Sequence, residues 1–424
     1  MGSNNQHILF WGPQCVGYWN QYFCAPVFER LKPFGWTTSY FFPPVNEFGS
    51  GLNKAWPSWY PHYDPLPNYN IIEDLGRSVY SFNDPASVAK ALERSLAGEN
   101  PDIIITRTNG HEYLKLLFPG VPILTMGEAM GSPWFEQHCF SLSADPNFYG
   151  LPHLTRHPEQ ASKMPKPDGF TEDIFSLLTR MQTVADEDMR AAEFYFSELR
   201  KKFDRIYLFP SDYTGAECLY LFYNHKNERF TTNADIIHHF KNQTNERTAL
   251  LVTQHPLQAQ RQSTTKLSDI FHPNGRVITV DNSKLASSLF RTSLLAHLSD
   301  GMIVRNSKSF WYALANDKPL LNLGSQDLSA LGAYTDFGNF LNANCAAITR
   351  DEACRIFYWQ TTRHRIALRE NEKLSKMLHR VITTAAEVPN LEQSADLFEW
   401  GTEADYKLSF KHCAQTYNKD FYFP

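Results

Sequence analysis

One segment, residues 299–324, constrains the fold of this chain more than any other. It contains two short apolar runs, at residues 302–304 and 320–323, and each has the length of a single buried strand. The residues between them, 309–316, are spaced as one compact helix that ends at a Lys-Pro pair. Strand, helix and strand in this order predict a βαβ step, in which both strands are parallel members of one sheet.

The corner between the first strand and the helix is polar and basic, with the sequence Arg305-Asn306-Ser307-Lys308. Such a corner brings backbone N–H groups and hydroxyls to the positive end of a helix, and the arginine and the lysine add two full charges. These groups suit a phosphate. The alternative is an ordinary strand-to-helix turn that is capped by Ser307.

A second motif lies upstream, in the sequence Leu250-Leu-Val-Thr-Gln-His-Pro256. Its apolar residues predict a buried strand, and the pair His255-Pro256 follows where that strand ends. Open α/β sheets bind ligands outside the carboxyl ends of their strands. A histidine in this position is either a structural side chain or a ligand contact, and the basic corner on a neighbouring βα unit favours the ligand contact.

Both halves of the chain repeat the strand and helix rhythm of an α/β fold. In the first half we expect strands at 7–11, 36–42, 102–106 and 121–126, with helices at 24–31, 86–97 and 112–118. In the second half we expect strands at 205–210, 249–253 and 277–280, with helices at 234–241 and 285–298. A helical connector at 173–202 precedes the second half, and an amphipathic region at 351–386 follows it.

Two carboxylates stand at the ends of predicted strands, one in each half of the chain. Glu128 follows a strand of the first half, and Asp212 follows the first strand of the second half. If the two sheets face each other, both side chains point into the cleft between them. Glycosyl transfer uses two such groups, a nucleophile and a general acid or base. The alternatives are a turn-capping aspartate and a solvated loop acid, and Asp204 and Glu217 are weaker substitutes for Asp212.

Together these motifs resemble GT-B glycosyltransferases, and among them the bacterial retaining β-Kdo transferases of O-antigen and capsule polysaccharide biosynthesis. In that group a glutamate of the N-terminal domain, an aspartate early in the C-terminal domain and a His-Pro pair recur in this order. The resemblance implies that Asp212 is the nucleophile of a double displacement and that Glu128 is the acid/base. It also implies that His255, next to Pro256, contacts the donor phosphate. One departure is Phe209-Pro-Ser-Asp-Tyr213, where related capsule enzymes show a Gln-rich, Asp-containing segment.

The resemblance covers most of the chain in pattern and spacing, and it implies an architecture. We expect two Rossmann-like domains that face each other across a cleft. Residues 1–190 would form the acceptor domain, and residues 191–385 would form the nucleotide-sugar domain. Residues 386–424 would pack back on the N-terminal domain, because the C-terminal helices of GT-B enzymes commonly cross over in this way.

Loops of the first half supply candidates for binding the acceptor or the carboxylate of an acidic sugar. Arg107 follows the strand at 102–106, and it is either a carboxylate partner or a surface residue. Asn109 and His111 share its loop and are candidate contacts to acceptor hydroxyls. Gly12 follows the strand at 7–11, where a glycine lets the backbone approach a ligand closely.

Composition limits the partners of the chain. Its 424 residues carry a formal net charge of -5, which argues against a broad nucleic-acid-binding face. The seven cysteines show no paired spacing, so we expect neither a zinc site nor a disulfide framework, and a reducing cytoplasm fits best. No apolar run approaches the ~20 residues that cross a bilayer.

The resemblance implies that the protein moves Kdo from CMP-β-Kdo, with retention and without a metal or cofactor, to a polysaccharide or lipid-linked glycan. We expect it in the cytoplasm, peripherally at the inner membrane face or beside other assembly enzymes. One alternative is a GT-B enzyme that uses another CMP- or UDP-activated sugar, including an epimerase. The other is a non-catalytic module that binds a glycan or a nucleotide sugar.

Overall fold

A computed structural model gives the fold. It describes residues 6–12, 24–42, 69–71, 84–106, 111–128, 139–143, 186–211, 232–253, 275–280, 291–305, 307–324, 328–363, 366–367, 371–388, 404 and 408. These residues form two β-sheets with helices between their strands.

The strands, in chain order, are β1 (His7–Trp11), β2 (Thr37–Phe42), β3 (Tyr69–Ile71), β4 (Ile103–Thr106), β5 (Ile123–Glu128), β6 (Cys139–Ser143), β7 (Arg205–Pro210), β8 (Thr248–Thr253), β9 (Val277–Thr279), β10 (Gly301–Val304), β11 (Leu320–Asn322) and β12 (Ile366–Ala367). The α-helices are α1 (Ala25–Leu31), α2 (Pro85–Glu93), α3 (His111–Leu117), α4 (Asp186–Arg200), α5 (Asn233–Gln243), α6 (Arg291–Leu298), α7 (Phe310–Ala315), α8 (Phe337–Asn342), α9 (Arg350–Arg363) and α10 (Glu372–Glu387). Short 3-10 helices occupy Lys32–Phe34 and Ser329–Leu331.

The first sheet has the strand order β12-β6-β5-β4-β1-β2-β3. Within this sheet, the strands β1 to β5 pair with one another in parallel. Strand β6 is antiparallel to β5, and β12 is antiparallel to β6. The parallel part therefore has the order 3-2-1-4-5 that is typical of a Rossmann-like unit.

The second sheet has the strand order β11-β10-β7-β8-β9, and every pair of neighbours is parallel. Counted within this unit and read from β9, the order is again 3-2-1-4-5. The predicted βαβ step is confirmed, because β10 and β11 pair in parallel with Met302 opposite Leu320, and α7 lies between them in the chain. The predicted α/β fold with two Rossmann-like units is likewise confirmed.

Alternate residues along the central strands enter different cores. Ile8 and Phe10 of β1 belong to a core that also contains Leu208 and Val304 of the second sheet. Leu9 instead packs in a separate core with residues of α2 and α3. Burial of both faces is usual for parallel sheets, and it explains why these strands are continuous apolar runs in the sequence. One apolar core thus extends from the first sheet to the second.

The C-terminal part of the described chain crosses from the second unit to the first. Helix α9 packs on α7 of the second unit, where Trp311 and Phe357 meet edge to face with ring centroids 4.9 Å apart. Strand β12 then adds to the first sheet, and α10 packs on α1. The crossing back is therefore confirmed. It begins at Ile366, before the predicted segment 386–424, most of which lies outside the described residues.

The amphipathic region predicted at 351–386 is interrupted. Helix α9 ends at Arg363, and α10 starts after Asn371. The side-chain oxygen of Asn371 accepts hydrogen bonds from the backbone N–H of Lys373 (2.9 Å) and of Leu374 (3.3 Å). An asparagine in this position satisfies the first N–H groups of a new helix. The apolar periodicity of 351–386 therefore belongs to two helices, each of which packs on a different unit.

One contact of the crossing helix α10 should depend on pH. The Nε1 atom of Trp36 donates a hydrogen bond to Nδ1 of His379 (3.0 Å), and the ring of Phe34 stacks on the imidazole with centroids 4.3 Å apart. Burial lowers the pKa of His379, and a proton on Nδ1 would remove the acceptor. Stability from this contact is present above the unfolded pKa of about 6.5 and is lost as the pH falls toward the lower folded pKa.

We therefore expect the free energy of unfolding to fall less between pH 8 and pH 5 in His379→Gln than in the parent protein. The glutamine can still accept from Trp36, but it does not titrate. Urea unfolding of both proteins at the two pH values measures the difference. An equal fall in both proteins would show that His379 does not contribute.

Candidate functional site

The carboxyl ends of β7, β8 and β10 lie side by side in the second sheet, and we call them the β7–β10 edge. The register pairs Pro210 of β7 with Thr253 of β8. Strand β10 flanks β7 on its other side. Because the strand order reverses between β7 and β10, this is the topological switch point at which open α/β sheets bind ligands.

The three predicted donor-side segments all leave the sheet at the β7–β10 edge. Asp212 follows β7 after one residue, His255 and Pro256 follow β8, and the corner that begins at Arg305 follows β10. Asp212, His255, Pro256 and Asn306 themselves lie outside the described residues. The described residues that immediately precede each of these segments therefore lie at the same edge of the sheet.

Ser211 joins the ends of two of these strands. Its backbone N–H and its hydroxyl both donate to the carbonyl oxygen of Thr253, at 2.9 and 2.8 Å. Both residues are buried, so these hydrogen bonds are shielded from water. The departure points of the segments with Asp212 and with His255 are thus held at a fixed separation.

Arg305 is the first residue after β10, and it is only 2% exposed. A guanidinium stays charged in proteins, and burial away from water strengthens its field. Arg305 thus brings a cationic side chain to the β7–β10 edge, although the whole chain carries a net charge of -5. Such an edge suits an anionic group such as a phosphate or a carboxylate.

The turn that follows Arg305 contains hydrogen bonds between its own residues. The hydroxyl of Ser307 is hydrogen-bonded to that of Ser309, and it accepts from the backbone N–H of Ser309 at 3.3 Å. The residue that precedes α7 is Ser309, with helical backbone angles and no side-chain cap, and α7 itself has six residues. The Ser307 hydroxyl thus bonds within the turn, and both Ser307 and Lys308 are partly exposed. A contact of Ser307 or of Lys308 with a phosphate stays a prediction.

The first sheet has its own switch point between β1 and β4, and we call the carboxyl ends of β1, β4 and β5 the β1–β4 edge. Gly12 follows β1 and donates its backbone N–H to the carbonyl oxygen of Phe41 (3.1 Å). Trp11 is paired with Thr106, after which Arg107 comes directly. Arg107 and Asn109 lie outside the described residues. Gly12 therefore follows β1, and the segment with Arg107 and Asn109 follows the neighbouring strand β4.

Glu128 ends β5 at the same edge, where its backbone pairs with Phe140 of β6. His111 was predicted in the loop after β4, but it is the first residue of α3. Its imidazole is 4% exposed, with Nε2 2.8 Å from the Oγ1 atom of Thr125. This hydrogen bond connects the start of α3 to β5. A direct contact between His111 and an acceptor stays a prediction.

Asp204 cannot replace Asp212 in the site. It lies just before β7, at the opposite end of that strand, and its carboxylate accepts from Nε of Arg247 at 2.5 Å. This hydrogen bond holds the pKa of Asp204 below its usual value. Asp204 is therefore an ion-pair residue at the amino edge of the sheet. Glu217 lies outside the described residues.

A serine, a histidine and a glutamate also meet at the amino edge of the first sheet. The hydroxyl of Ser39 donates to Oε2 of Glu99 (2.5 Å) and lies 2.8 Å from Nε2 of His7. A hydrolytic triad needs the acid on the other ring nitrogen, but Nδ1 of His7 meets the hydroxyl of Thr37 at 3.0 Å. The cluster ties β1 to β2 and to the turn before β4, which is a structural role.

Sequence reasoning missed Ser211 and Thr125, two buried hydroxyl residues whose hydrogen bonds connect elements at the carboxyl edges. The signal was a hydroxyl residue at or near the end of an otherwise apolar strand. Within the described ranges, no group of three or more His, Cys, Asp or Glu side chains could hold a metal ion. The helices of the described part of the chain are all too short or too polar to cross a membrane.

No protein-family model matches the chain, and no curated protein sequence matches it. Among solved structures, it is similar to the β-Kdo 2,7 transferase KpsC of Thermosulfurimonas dismutans at 12% identity and a TM-score of 0.37, over 82% of this chain and 89% of that one. It is also similar to the UDP-GlcNAc 2-epimerase of Methanocaldococcus jannaschii, determined with UDP-GlcNAc and UDP, at 10% identity and a TM-score of 0.34, over 83% and 98% of the two chains.

A third similar structure is the N-terminal domain of the trehalose-6-phosphate phosphatase of Candida albicans, at 10% identity and a TM-score of 0.32, over 99% and 98% of the two chains. These three proteins differ in activity. Likeness at this level concerns the fold alone, because one fold hosts many functions. A function for this chain has to come from its own residues.

Proposed function

We propose that this protein is a glycosyltransferase that binds a nucleotide-activated sugar at the β7–β10 edge. The observation that carries the proposal is the convergence of three predicted segments at that switch point, next to the buried guanidinium of Arg305. A guanidinium suits the phosphate of a nucleotide, and Asp212, the proposed nucleophile, follows β7 at the same edge.

The donor that we propose is CMP-β-Kdo. The order of Glu128, Asp212 and the His255-Pro256 pair resembles that of retaining β-Kdo transferases, and this resemblance is the support for the choice of sugar. Kdo also carries its own carboxylate, for which Arg107, Arg305 and Lys308 are the candidate cations. The acceptor would be a polysaccharide or a lipid-linked glycan, met at the β1–β4 edge by Asn109, His111 and the backbone at Gly12. We propose that the protein works without a metal, peripherally at the inner membrane face.

In the proposed reaction the carboxylate of Asp212 attacks the anomeric carbon of Kdo. The bond to the phosphate oxygen breaks, and CMP leaves with the electron pair while His255, Arg305 and Lys308 balance its charge. Glu128 then takes the proton from an acceptor hydroxyl, whose oxygen displaces Asp212 from the anomeric carbon. Two inversions at that carbon give overall retention.

Nucleotide binding tests the proposal directly. A ligand at about 100 times its dissociation constant adds ~2.7 kcal/mol of stability, so CMP should raise the melting temperature measurably. UDP at the same concentration should raise it less. A shift with UDP alone would favour a UDP-sugar enzyme. A shift with neither nucleotide would overturn the proposal, as would CMP binding without transfer to any bacterial glycan.

We expect His255→Ala and Lys308→Ala each to weaken CMP binding. A charge-assisted hydrogen bond contributes roughly 1.5–3 kcal/mol, which corresponds to about 10- to 100-fold in the dissociation constant. Isothermal titration with CMP measures the change. The control is Lys376→Ala, which removes an exposed lysine on α10 and should bind CMP like the parent. If His255→Ala and Lys308→Ala also bind like the parent, the β7–β10 edge does not hold the phosphate.

A further inference from the structure

A row of buried polar side chains lies at the β1–β4 edge. Trp11, Thr106 and Thr125 occupy one register position across β1, β4 and β5. All three are 1% exposed or less. Polar groups that are buried in this way cost free energy unless they are hydrogen-bonded. The hydrogen bonds of these side chains therefore matter for the stability of this edge.

Two of these residues hold the first turn of α3 to the sheet. The Nε1 atom of Trp11 donates to the hydroxyl of Tyr113 (2.8 Å), and the hydroxyl of Thr125 lies 2.8 Å from Nε2 of His111. All four side chains are buried. Helix α3 has seven residues and could not hold its own position by helix propensity, because short helices depend on tertiary contacts.

This attachment lies next to the proposed acceptor side. Thr106 and His111, on either side of the loop that carries Arg107, are both buried and fixed to the sheet. Thr125 also lies on the strand that ends at Glu128, three residues further along. One hydroxyl is therefore shared between the strand of the proposed acid/base and the helix that follows the proposed acceptor loop.

We infer that Thr125 is a positioning residue for glycosyl transfer, which acts by holding His111 and the start of α3 against β5. This inference rests on the proposed function. The removal of the Thr125 hydroxyl lets the β1–β4 edge shift, and displacements of about 1 Å near reacting groups can cost 10²-fold in rate. The β7–β10 edge belongs to the other sheet, so nucleotide binding there should not change.

Three variants test the inference. Thr125→Val keeps the shape of the side chain and removes the hydroxyl, Thr125→Ser restores the hydroxyl, and Thr248→Val is the matched control. Thr248 is also a buried strand threonine, and its hydroxyl donates to Oδ1 of Asn245 (3.0 Å), but it begins β8 at the amino edge of the second sheet. Each protein is assayed for transfer from CMP-β-Kdo to a glycan and for the melting-temperature shift with CMP.

We expect Thr125→Val to lower kcat for transfer by about 10- to 100-fold with its CMP shift unchanged. Thr125→Ser should recover most of the rate, and Thr248→Val should transfer like the parent. Parental kcat in Thr125→Val, or no recovery in Thr125→Ser, would overturn the inference while the proposed function stands. If the parent itself binds CMP but transfers nothing, the proposed function fails and the positioning role falls with it.

Discussion

Asp212→Ala should abolish sugar transfer while CMP still raises the melting temperature of the protein. The proposed covalent intermediate needs a carboxylate at this position, and the methyl group of alanine cannot attack the anomeric carbon. Loss of an enzymatic nucleophile or of its activating partner lowers kcat by about four orders of magnitude or more. Transfer is measured with labelled CMP-β-Kdo, and nucleotide binding is measured separately by the melting-temperature shift.

Asp204→Ala is the matched control for that experiment. Both carboxylates flank β7, but Asp204 lies at its amino end and pairs with Arg247 on the surface. Surface ion pairs contribute little to stability, so this variant should fold and transfer like the parent. Activity in Asp212→Ala would remove Asp212 from the role of nucleophile. Loss of both transfer and the CMP shift would indicate instead that Asp212 maintains the structure of the edge.

The strands and helices of the second sheet follow from features that are visible in the sequence. The apolar runs that became β7, β8 and β10 are separated by helices with recognisable ends, and parallel strands with such connections favour a Rossmann-like unit. The stop after α7 was equally clear, because Lys318-Pro319 cannot continue a helix. Local patterns therefore predicted the elements, and the resemblance to GT-B enzymes implied their Rossmann-like arrangement.

Contacts between distant parts of the chain could not be predicted in this way. The imidazole of His111 reaches Thr125, which is 14 residues away in sequence. Trp36 donates to His379 across 343 residues, and no local pattern contains that pairing. The split of the region 351–386 has the same origin, since β12 interrupts it to pair with β6. Tertiary contacts decided each of these details.

The candidate site was likewise predictable from the sequence only in part. The sequence placed Asp212, His255 and Arg305 after three separate strands, and the parallel sheet brings those strand ends together. That Ser307 uses its hydroxyl within the turn could not be read from the polar corner, because a serine there suits a phosphate and a local hydrogen bond equally well. The residue types identified the candidate side chains. Only the structure shows which hydrogen bond a side chain such as that of Ser307 makes.

Glu128→Gln should trap the sugar on the enzyme. An amide can still accept a hydrogen bond from the acceptor hydroxyl, but it cannot take the proton, so the second displacement slows while the first proceeds. General base catalysis contributes typically 10²–10⁴-fold, and the covalent intermediate should therefore accumulate. Intact-protein mass spectrometry after incubation with CMP-β-Kdo should show the mass of one added Kdo residue, and peptide mapping should place it on the peptide that contains Asp212.

The double variant Glu128→Gln/Asp212→Ala is the control for this adduct, and it should remain unmodified because it lacks the nucleophile. The parent enzyme should give a product with the anomeric configuration of the donor, since two inversions cancel. An inverted product would mean that the acceptor attacks the donor directly. In that case Glu128 could still be the base, but no sugar would ever be attached to Asp212, and the Glu128→Gln variant would be slow without any gain in mass.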